Sequence, residues 1–373
     1  MTLGMKIGQE NFRVMKQKRA TRLSAQALIV CLSLAVFTGC SPDVVEKPVD
    51  LVWPDPPENS RVKYIRSLSH EGDFGSSGTE WLDQLIQKKT TRRTMGRPYA
   101  VATDREGKVY VTDNERAVVW VFDDMSRKVG ILGGLASGRL NQPVGLVVNK
   151  RGTIFISDVY SKRVYAFSPI GNLVMALGQR NELGNPVGLA MDEATGWLYV
   201  ADSQKHKVRV YSSDDGKFLF EFGQRGNGDG EFNAPTYLSI GNGKLYVSDS
   251  ANYRIQIFDL RGKFLKKFGS MGDQPGKFAR PRGVAVDSAG HVYVTDAVLN
   301  NLQIFDDEGR FHLSVGAGRR GPGLFSLPAG VHVDGKDKIY VADSYNGRVQ
   351  VFQYLGKKIT AGSLNGDLNS SSR

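Results

Sequence analysis

Six aspartates recur along the chain at nearly constant intervals, and they are the first residues whose type and spacing suggest chemistry. Their spacings are 45, 44, 47, 47 and 47 residues, and they are Asp113, Asp158, Asp202, Asp249, Asp296 and Asp343. A ring of carboxylates could bind a hard cation, but such a site needs several oxygens that converge on one point. A carboxylate at a strand end can instead accept hydrogen bonds from backbone N–H groups of the following turn. Repetition in every unit favours this structural role, and no metal site is predicted.

Histidines and cysteines offer little further chemistry. The histidines are His70, His206, His291, His312 and His332, and they occupy unlike positions of the repeating units, so convergence on one zinc ion is not expected. His332 lies in an innermost strand, where it is either a core histidine or a ligand. The two cysteines, Cys31 and Cys40, both lie near the N-terminus and provide no disulfide framework. No cofactor is predicted.

The aspartates belong to a six-fold internal repeat. In the fourth unit Asp249 follows the pair Tyr246-Val247, Phe258 stands nine residues later, and Pro235 stands about fifteen residues earlier, and the other units keep the same pattern. Each unit holds four short runs of alternating polarity separated by Gly- and Asp-rich turns. Four strands per unit at a period in the mid-forties indicate a propeller blade. The sequence therefore predicts an all-β, six-bladed β-propeller with four antiparallel strands per blade.

The units resemble NHL repeats between Pro98 and Phe352. The stretch NAPTYLSIGNGKLYVSDSANYRIQIFDLRGKFLKKFG and the preceding GNGDGEF carry the resemblance. Six-bladed relatives of this type include calcium-dependent lactonases and a zinc-dependent lyase, so the resemblance implies a metal-dependent hydrolase or lyase as one alternative. The family is defined by scaffold residues, and the inner positions that would hold the metal are mostly Val, Thr, Ala and Arg here. A non-catalytic binding scaffold is the favoured interpretation.

Segments before the first blade complete the predicted ring and add one insertion. Residues 61–68, RVKYIRSL, alternate like a strand, and we expect them to pair beside the strand around 348–353 and so protect the sheet edges. Residues 79–89, TEWLDQLIQKK, predict a short inserted helix with Thr79 as its N-cap. Its basic end at 88–93 is either an ordinary solvated helix end or a second binding surface. The propeller is predicted to span 61–359, with blades from 97 and a disordered tail at 360–373.

The N-terminal residues predict export and anchoring. Within 1–39 a basic run precedes AQALIVCLSLAVF, which indicates a signal peptide. A helix of this run would cover only ~20 Å, short of the ~30 Å of a bilayer core, which argues against the alternative of a membrane-spanning anchor. The stretch VFTGC resembles a bacterial lipobox and implies lipidation at Cys40, followed by a Pro-rich tether at 40–60. Secretion without lipid is the alternative, and Met15 is a second possible start.

The net charge and the predicted localisation limit the classes of partner. Without the first 39 residues the chain holds 43 basic and 37 acidic residues, a mild excess that gives no argument for nucleic acid. We expect a monomeric propeller at the bacterial cell envelope, held to the membrane by lipid and facing the periplasm or the exterior. Its partner is expected to be a protein or peptide of that envelope.

Residues that break the repeat on one face are the candidates for binding. The loop before each innermost strand and the turn between the second and third strands are expected to share the face at the channel mouth. Aromatic and arginine side chains there are the residue types that anchor interfaces, and they are Tyr99, Tyr160, Tyr237, Tyr253, Arg282 and Tyr345. They predict a binding face whose substitution leaves stability unchanged. Random drift of surface residues and stacking of glycans on the tyrosines are the alternatives.

Overall fold

The structure, a computed structural model, describes residues 50–59, 61–73, 93–133, 140–179, 182–316 and 318–356. Within these ranges six sheets form the blades of a closed ring, and the innermost strand of each contacts those of both neighbours. The predicted all-β, six-bladed propeller with four antiparallel strands per blade is confirmed. The predicted signal peptide, Cys40, the inserted helix at 79–89 and the tail at 360–373 lie outside the described residues. No helix among the residues described is long and apolar enough to cross a bilayer.

The strands follow one another blade by blade from the ring centre outwards. Blade 1 contains β3 (Pro98–Thr103), β4 (Val109–Asp113), β5 (Val118–Asp123) and β6 (Lys128–Leu132). Blade 2 contains β7 (Pro143–Val148), β8 (Ile154–Asp158), β9 (Arg163–Phe167) and β10 (Leu173–Leu177). Blade 3 contains β11 (Pro186–Asp192), β12 (Trp197–Asp202), β13 (Lys207–Ser212) and β14 (Phe218–Phe222).

The second half of the ring follows the same order. Blade 4 contains β15 (Pro235–Gly241), β16 (Lys244–Asp249), β17 (Arg254–Asp259) and β18 (Phe264–Phe268). Blade 5 contains β19 (Pro281–Val286), β20 (Val292–Asp296), β21 (Asn301–Phe305) and β22 (Phe311–Val315). Blade 6 contains β23 (Pro328–Val333), β24 (Lys338–Asp343) and β25 (Arg348–Tyr354), and two short 3-10 turns, Ser250–Asn252 and Ser344–Asn346, follow β16 and β24. Every innermost strand begins at a proline, where no ladder N–H is needed.

An N-terminal strand completes blade 6, as the sequence predicts. Strand β2 (Val62–Leu68) runs antiparallel to β25, with Val62 opposite Tyr354 and Leu68 opposite Val349. Blade 6 therefore combines three C-terminal strands with one N-terminal strand. Because β23 also contacts β3, blade 6 packs against blade 1 and the ring is closed between the first and last blades.

Residues that the sequence places in the tether pack on blade 6 instead. Strand β1 (Val52–Trp53) pairs with β2, and the Trp53 ring lies 5.8 Å from the ring of Phe352. Leu51 and Trp53 both pack against the core of this blade. Apolar burial of these side chains holds residues 51–53 against blade 6.

The apolar core lies between the blades, on both faces of the second strands. In β4, β8 and β20 every residue is buried. Neighbouring blades cover both faces of these strands, which is why their sequences are rich in β-branched and aromatic residues rather than alternating strictly. The largest fully buried side chains include Trp120, Tyr199 and Tyr246.

We predict that truncating Leu68 weakens the whole ring. Its side chain is fully buried and packs with Met95, Trp120 and Val349, so it joins the closing strand to blades 6 and 1. Leu68→Ala should lower the free energy of unfolding by about 2–4 kcal/mol, measured by chemical denaturation. Lys63→Ala in the same strand is the control and should change it by less than about 0.5 kcal/mol. Equal stabilities of the two variants would contradict closure by β2.

Candidate functional site

The repeated aspartates join two sets of loops into one surface, which we call the upper face. It consists of the loops that precede the innermost strands and the turns between the second and third strands. Each aspartate is completely buried and ends a second strand. Its carboxylate accepts a hydrogen bond of 2.6–2.8 Å from the backbone N–H two residues before the proline, and these donors are Gly96, Asn141, Gly184, Asn233, Ala279 and Ser326.

The same carboxylates also hold the turns that follow them. Asp113 accepts from the Arg116 N–H and Asp202 from the Lys205 N–H, each at 3.1 Å. In blade 4 the donor to Asp249 is instead the side chain of Asn252, at 2.8 Å. Each aspartate therefore fixes a loop and a turn to each other, and its lone pairs are engaged by the blade itself. Such charge-assisted bonds contribute roughly 1.5–3 kcal/mol each.

Two blades add an arginine to this arrangement, Arg254, which is buried, and Arg348, which is half-buried. Arg254 donates from Nε to Asp249 at 2.8 Å, and Arg348 donates to Asp343 at the same distance. The remaining Arg254 N–H groups donate to the carbonyl oxygens of Asn227, Gly228 and Glu231, which holds the long loop before β15. At the corresponding position of blade 3, Lys207 turns away and pairs with Glu221.

The six aspartates do not converge on a metal. Each belongs to its own blade, and no group of three or more His, Cys, Asp or Glu side chains in the described ranges is arranged to hold an ion. His332, the innermost histidine, contacts the Thr103 hydroxyl through Nε2 at 2.9 Å. Burial lowers the pKa of His332 to about 4, so its ring is neutral at neutral pH.

Glycines at the upper end of the innermost strands make the channel narrow there. A Cβ at Gly145 would overlap the Val187 carbonyl oxygen, and a Cβ at Gly283 would lie 2.6 Å from the Val331 nitrogen. The backbones of adjacent blades therefore touch at this level, and only glycine allows so close an approach. Ala100 in blade 1 and Tyr237 in blade 4 replace this glycine.

Tyr237 fills the narrow level of the channel and is not part of the exposed surface. Its side chain is 7% exposed and reaches across the ring, where its hydroxyl lies close to Gly330 and to the Tyr99 carbonyl oxygen. Burial raises the pKa of its hydroxyl. The interpretation of Tyr237 as a binding-face residue is therefore wrong. Its ring occupies the centre of the channel, in the space that small residues of the facing blades, such as Gly330, leave open.

Tyr99 and Arg282 lie above this level at the centre of the upper face. Both are half-buried, and the Arg282 guanidinium carbon lies 5.6 Å from the centre of the Tyr99 ring. This contact is a cation–π interaction between blades 5 and 1. Among the described residues Arg282 has no ion pair and no hydrogen bond. The structure thus brings two of the predicted residues together and leaves a central cation without a counter-charge.

Below Tyr237 the channel widens to a cavity of about 190 Å³. All six innermost strands line it, mostly with Val, Leu, Ala, Ile and Met side chains. Thr103, Tyr237, Ser239 and His332 are its polar side chains, and of these Thr103 and His332 hydrogen-bond to each other.

The other predicted residues differ in exposure. Tyr160 and Tyr345 are 74% and 66% exposed, whereas Tyr253 is half-buried, has a φ of 55° and packs against the core. Sequence reasoning missed Val298 and Leu327, which are 54% and 45% exposed on the same face. For Leu327 the available signal was an apolar residue where four other blades carry Arg97, Gln142, Asn185 and Arg280.

Comparisons with known proteins agree with the architecture. Residues 278–305 and 325–352 match the NHL repeat, and residues 233–291 match a family described as a 6-bladed beta-propeller. Mouse NHL repeat-containing protein 3 is 28% identical over 194 residues, 46% of this chain and 54% of that protein. Mouse peptidyl-glycine alpha-amidating monooxygenase is 26% identical over 159 residues, 39% of this chain and 16% of that protein.

A solved structure extends the comparison to the whole ring. A gluconolactonase from Xanthomonas campestris superposes with a TM-score of 0.55 at 14% identity, covering 70% of this chain and 86% of that one. At that identity the likeness concerns the fold alone. The chain also spans only about half, or less, of the length of the two mouse proteins. The relatives include enzymes, and the fold does not choose among their activities.

We predict opposite behaviour for two of the tyrosines that the sequence analysis assigns to the binding face. Tyr237→Ala empties the narrow level of the channel and should lower the free energy of unfolding by about 3 kcal/mol or more. Tyr160→Ala removes an exposed ring and should change it by less than about 0.5 kcal/mol. Chemical denaturation of both variants beside the unaltered protein measures the difference. A fully stable Tyr237→Ala variant would contradict the placement of this ring in the channel.

Proposed function

Because this chain is an NHL-repeat six-bladed β-propeller, we propose that it is a non-catalytic scaffold that binds a protein or peptide partner through the upper face. The observation that supports this most strongly is the exposure of Tyr160, Val298, Leu327 and Tyr345 on loops that buried carboxylates hold in place. Large apolar side chains on rigid loops contribute contact area at little cost in conformational entropy. Arg282 supplies a polar anchor at the centre.

The central cavity gives little support to a catalytic role. Catalysis needs side chains that meet at a reacting centre, and the polar side chains of the cavity are a neutral histidine and the hydroxyl groups of Thr103, Ser239 and Tyr237. Tyr237 fills the channel between the cavity and the centre of the upper face, where Tyr99 and Arg282 contact each other. We therefore place recognition on the surface of the ring and not within the channel.

The proposal includes a location at the bacterial cell envelope. Its support is the N-terminal pattern of a basic run, a short apolar stretch and VFTGC, with Cys40 as the lipidated residue. A lipid at that position would keep the propeller at the membrane and leave its surface available to other envelope proteins. A single monomeric ring suffices for this role.

Site-specific photo-crosslinking tests the proposed face. A benzophenone amino acid at Tyr345 should yield adducts of discrete mass in native cells, since this side chain is exposed and central to the proposed contact. The same group at Ile170, 84% exposed in the loop between β9 and β10 at the opposite end of the blade, is the matched control and should yield none. Equal adducts at both positions, or adducts at Ile170 alone, would contradict recognition by the upper face.

A further inference from the structure

Charge is distributed unequally between the two ends of the ring. The upper face carries exposed cations that have no ion pair among the described residues, and these are Arg97, Lys162, Arg163, Arg225, Lys277, Arg280, Arg319 and Arg320. Among the described residues its exposed acids are Glu115, Asp229 and Asp273, Asp229 being paired with Lys267, and Glu182 and Glu231 are half-buried. The repeated aspartates add no exposed negative charge because they are buried. Exposed cations therefore outnumber exposed acids among the described residues of this face.

The opposite end, which we call the lower face, has no such excess. It consists of the loops between the first and second strands and between the third and fourth strands. Its acids include Asp104, Glu106, Asp124, Glu193, Asp214, Asp215, Asp307 and Glu308, interspersed with cations such as Arg105, Lys128, Lys150, Arg151 and Lys217. Several of these charges pair with each other, as Arg151 does with Asp214. The net charge of the whole chain is mild, but its exposed positive charges are concentrated on the upper face.

From this polarity we propose that the partner of the upper face is an acidic polypeptide whose carboxylates pair with Arg282 and the surrounding cations. The inference rests on the proposed function and specifies the chemistry of the partner. Arg282 is its centre, because a guanidinium offers five N–H donors in a fork that fits a carboxylate. The Tyr99 ring holds one side of that guanidinium, and no acceptor of this chain occupies its donors in the described residues.

Exposed apolar side chains lie on the same face in blades 5 and 6. Val298 lies in the turn after β20, Leu327 in the loop before β23, and Tyr345 in the turn after β24. Hydrogen bonds hold these segments together: the Leu327 N–H donates to Asn300 Oδ1, and the Tyr345 N–H donates to the Ser326 carbonyl. The result is a fixed sector of mixed basic and apolar character.

The apolar members favour a polypeptide over a polynucleotide. Val298 and Leu327 can pack against aliphatic side chains, which nucleic acids lack. Nucleic-acid surfaces of this kind use stacked aromatic platforms along a basic groove. Here the exposed rings of Tyr160 and Tyr345 belong to blades 2 and 6 and do not line one groove. An acidic segment that also carries aliphatic or aromatic residues matches both properties of the sector.

Fluorescence anisotropy with defined probes tests this inference. The probe is a labelled peptide of alternating glutamate and leucine, compared with the same peptide carrying glutamine for glutamate and with a labelled oligouridylate. The acidic peptide should bind at low salt and weaken as salt rises, because the pairing is electrostatic. Arg282→Gln should reduce its affinity about tenfold or more. Arg105→Gln removes an exposed arginine from the lower face and should leave the affinity unchanged.

The outcomes show separately whether the partner is acidic and whether the upper face binds a partner. Equal binding of the glutamate and glutamine peptides, stronger binding of the oligouridylate, or equal losses from Arg282→Gln and Arg105→Gln would overturn the inference. Thermal denaturation of both variants ensures that an altered affinity is not a loss of folding. Crosslinks at Tyr345 together with no binding of the acidic peptide would retain the binding face and refute the acidic partner.

Discussion

The hydrogen bond from a backbone N–H to a buried aspartate carboxylate is the constraint on which the upper face depends. Blades must approach one another closely at the ring centre, and the loops that enter the innermost strands have few ladder partners of their own. A carboxylate at the end of the second strand supplies acceptors at a point that both loop and turn can reach. In Asp249 these acceptors serve the Asn233 N–H, the Asn252 amide and Arg254 together. Burial makes such bonds costly to leave unmade.

Rigid loops allow the remaining positions to vary. Once the carboxylate and the proline fix the course of a loop, the adjoining side chains can be large, apolar or charged without loss of the fold. Tyr99, Arg282 and Leu327 use this freedom and differ from their counterparts in the other blades, whereas Tyr345 has a tyrosine counterpart in Tyr160 of blade 2. The same rigidity gives each of them a defined direction, which is what a recognition surface needs.

Repetition explains why so much of the architecture could be predicted from the sequence. The spacing of aspartate, proline and aromatic residues reports contacts within one blade, so blade number, strand order and the closing role of residues 61–68 follow from local patterns. Tyr237 could not be placed in this way. Its burial depends on Gly330 and on blade 1, across the ring, and no local pattern reports that distance. The pairing of Trp53 with blade 6 was missed because a two-residue strand has no periodicity to detect.

Amide hydrogen exchange tests this account most directly. The N–H groups of Gly96, Asn141 and Ala279 lie in loops, yet each donates to a buried carboxylate at 2.6–2.8 Å. They should exchange about as slowly as amides in the second strands, because opening a loop leaves a buried aspartate carboxylate without its hydrogen-bond donor. If these loop amides exchange at the rate of unstructured peptide while the second strands remain protected, the carboxylates do not hold the upper face and the account is wrong.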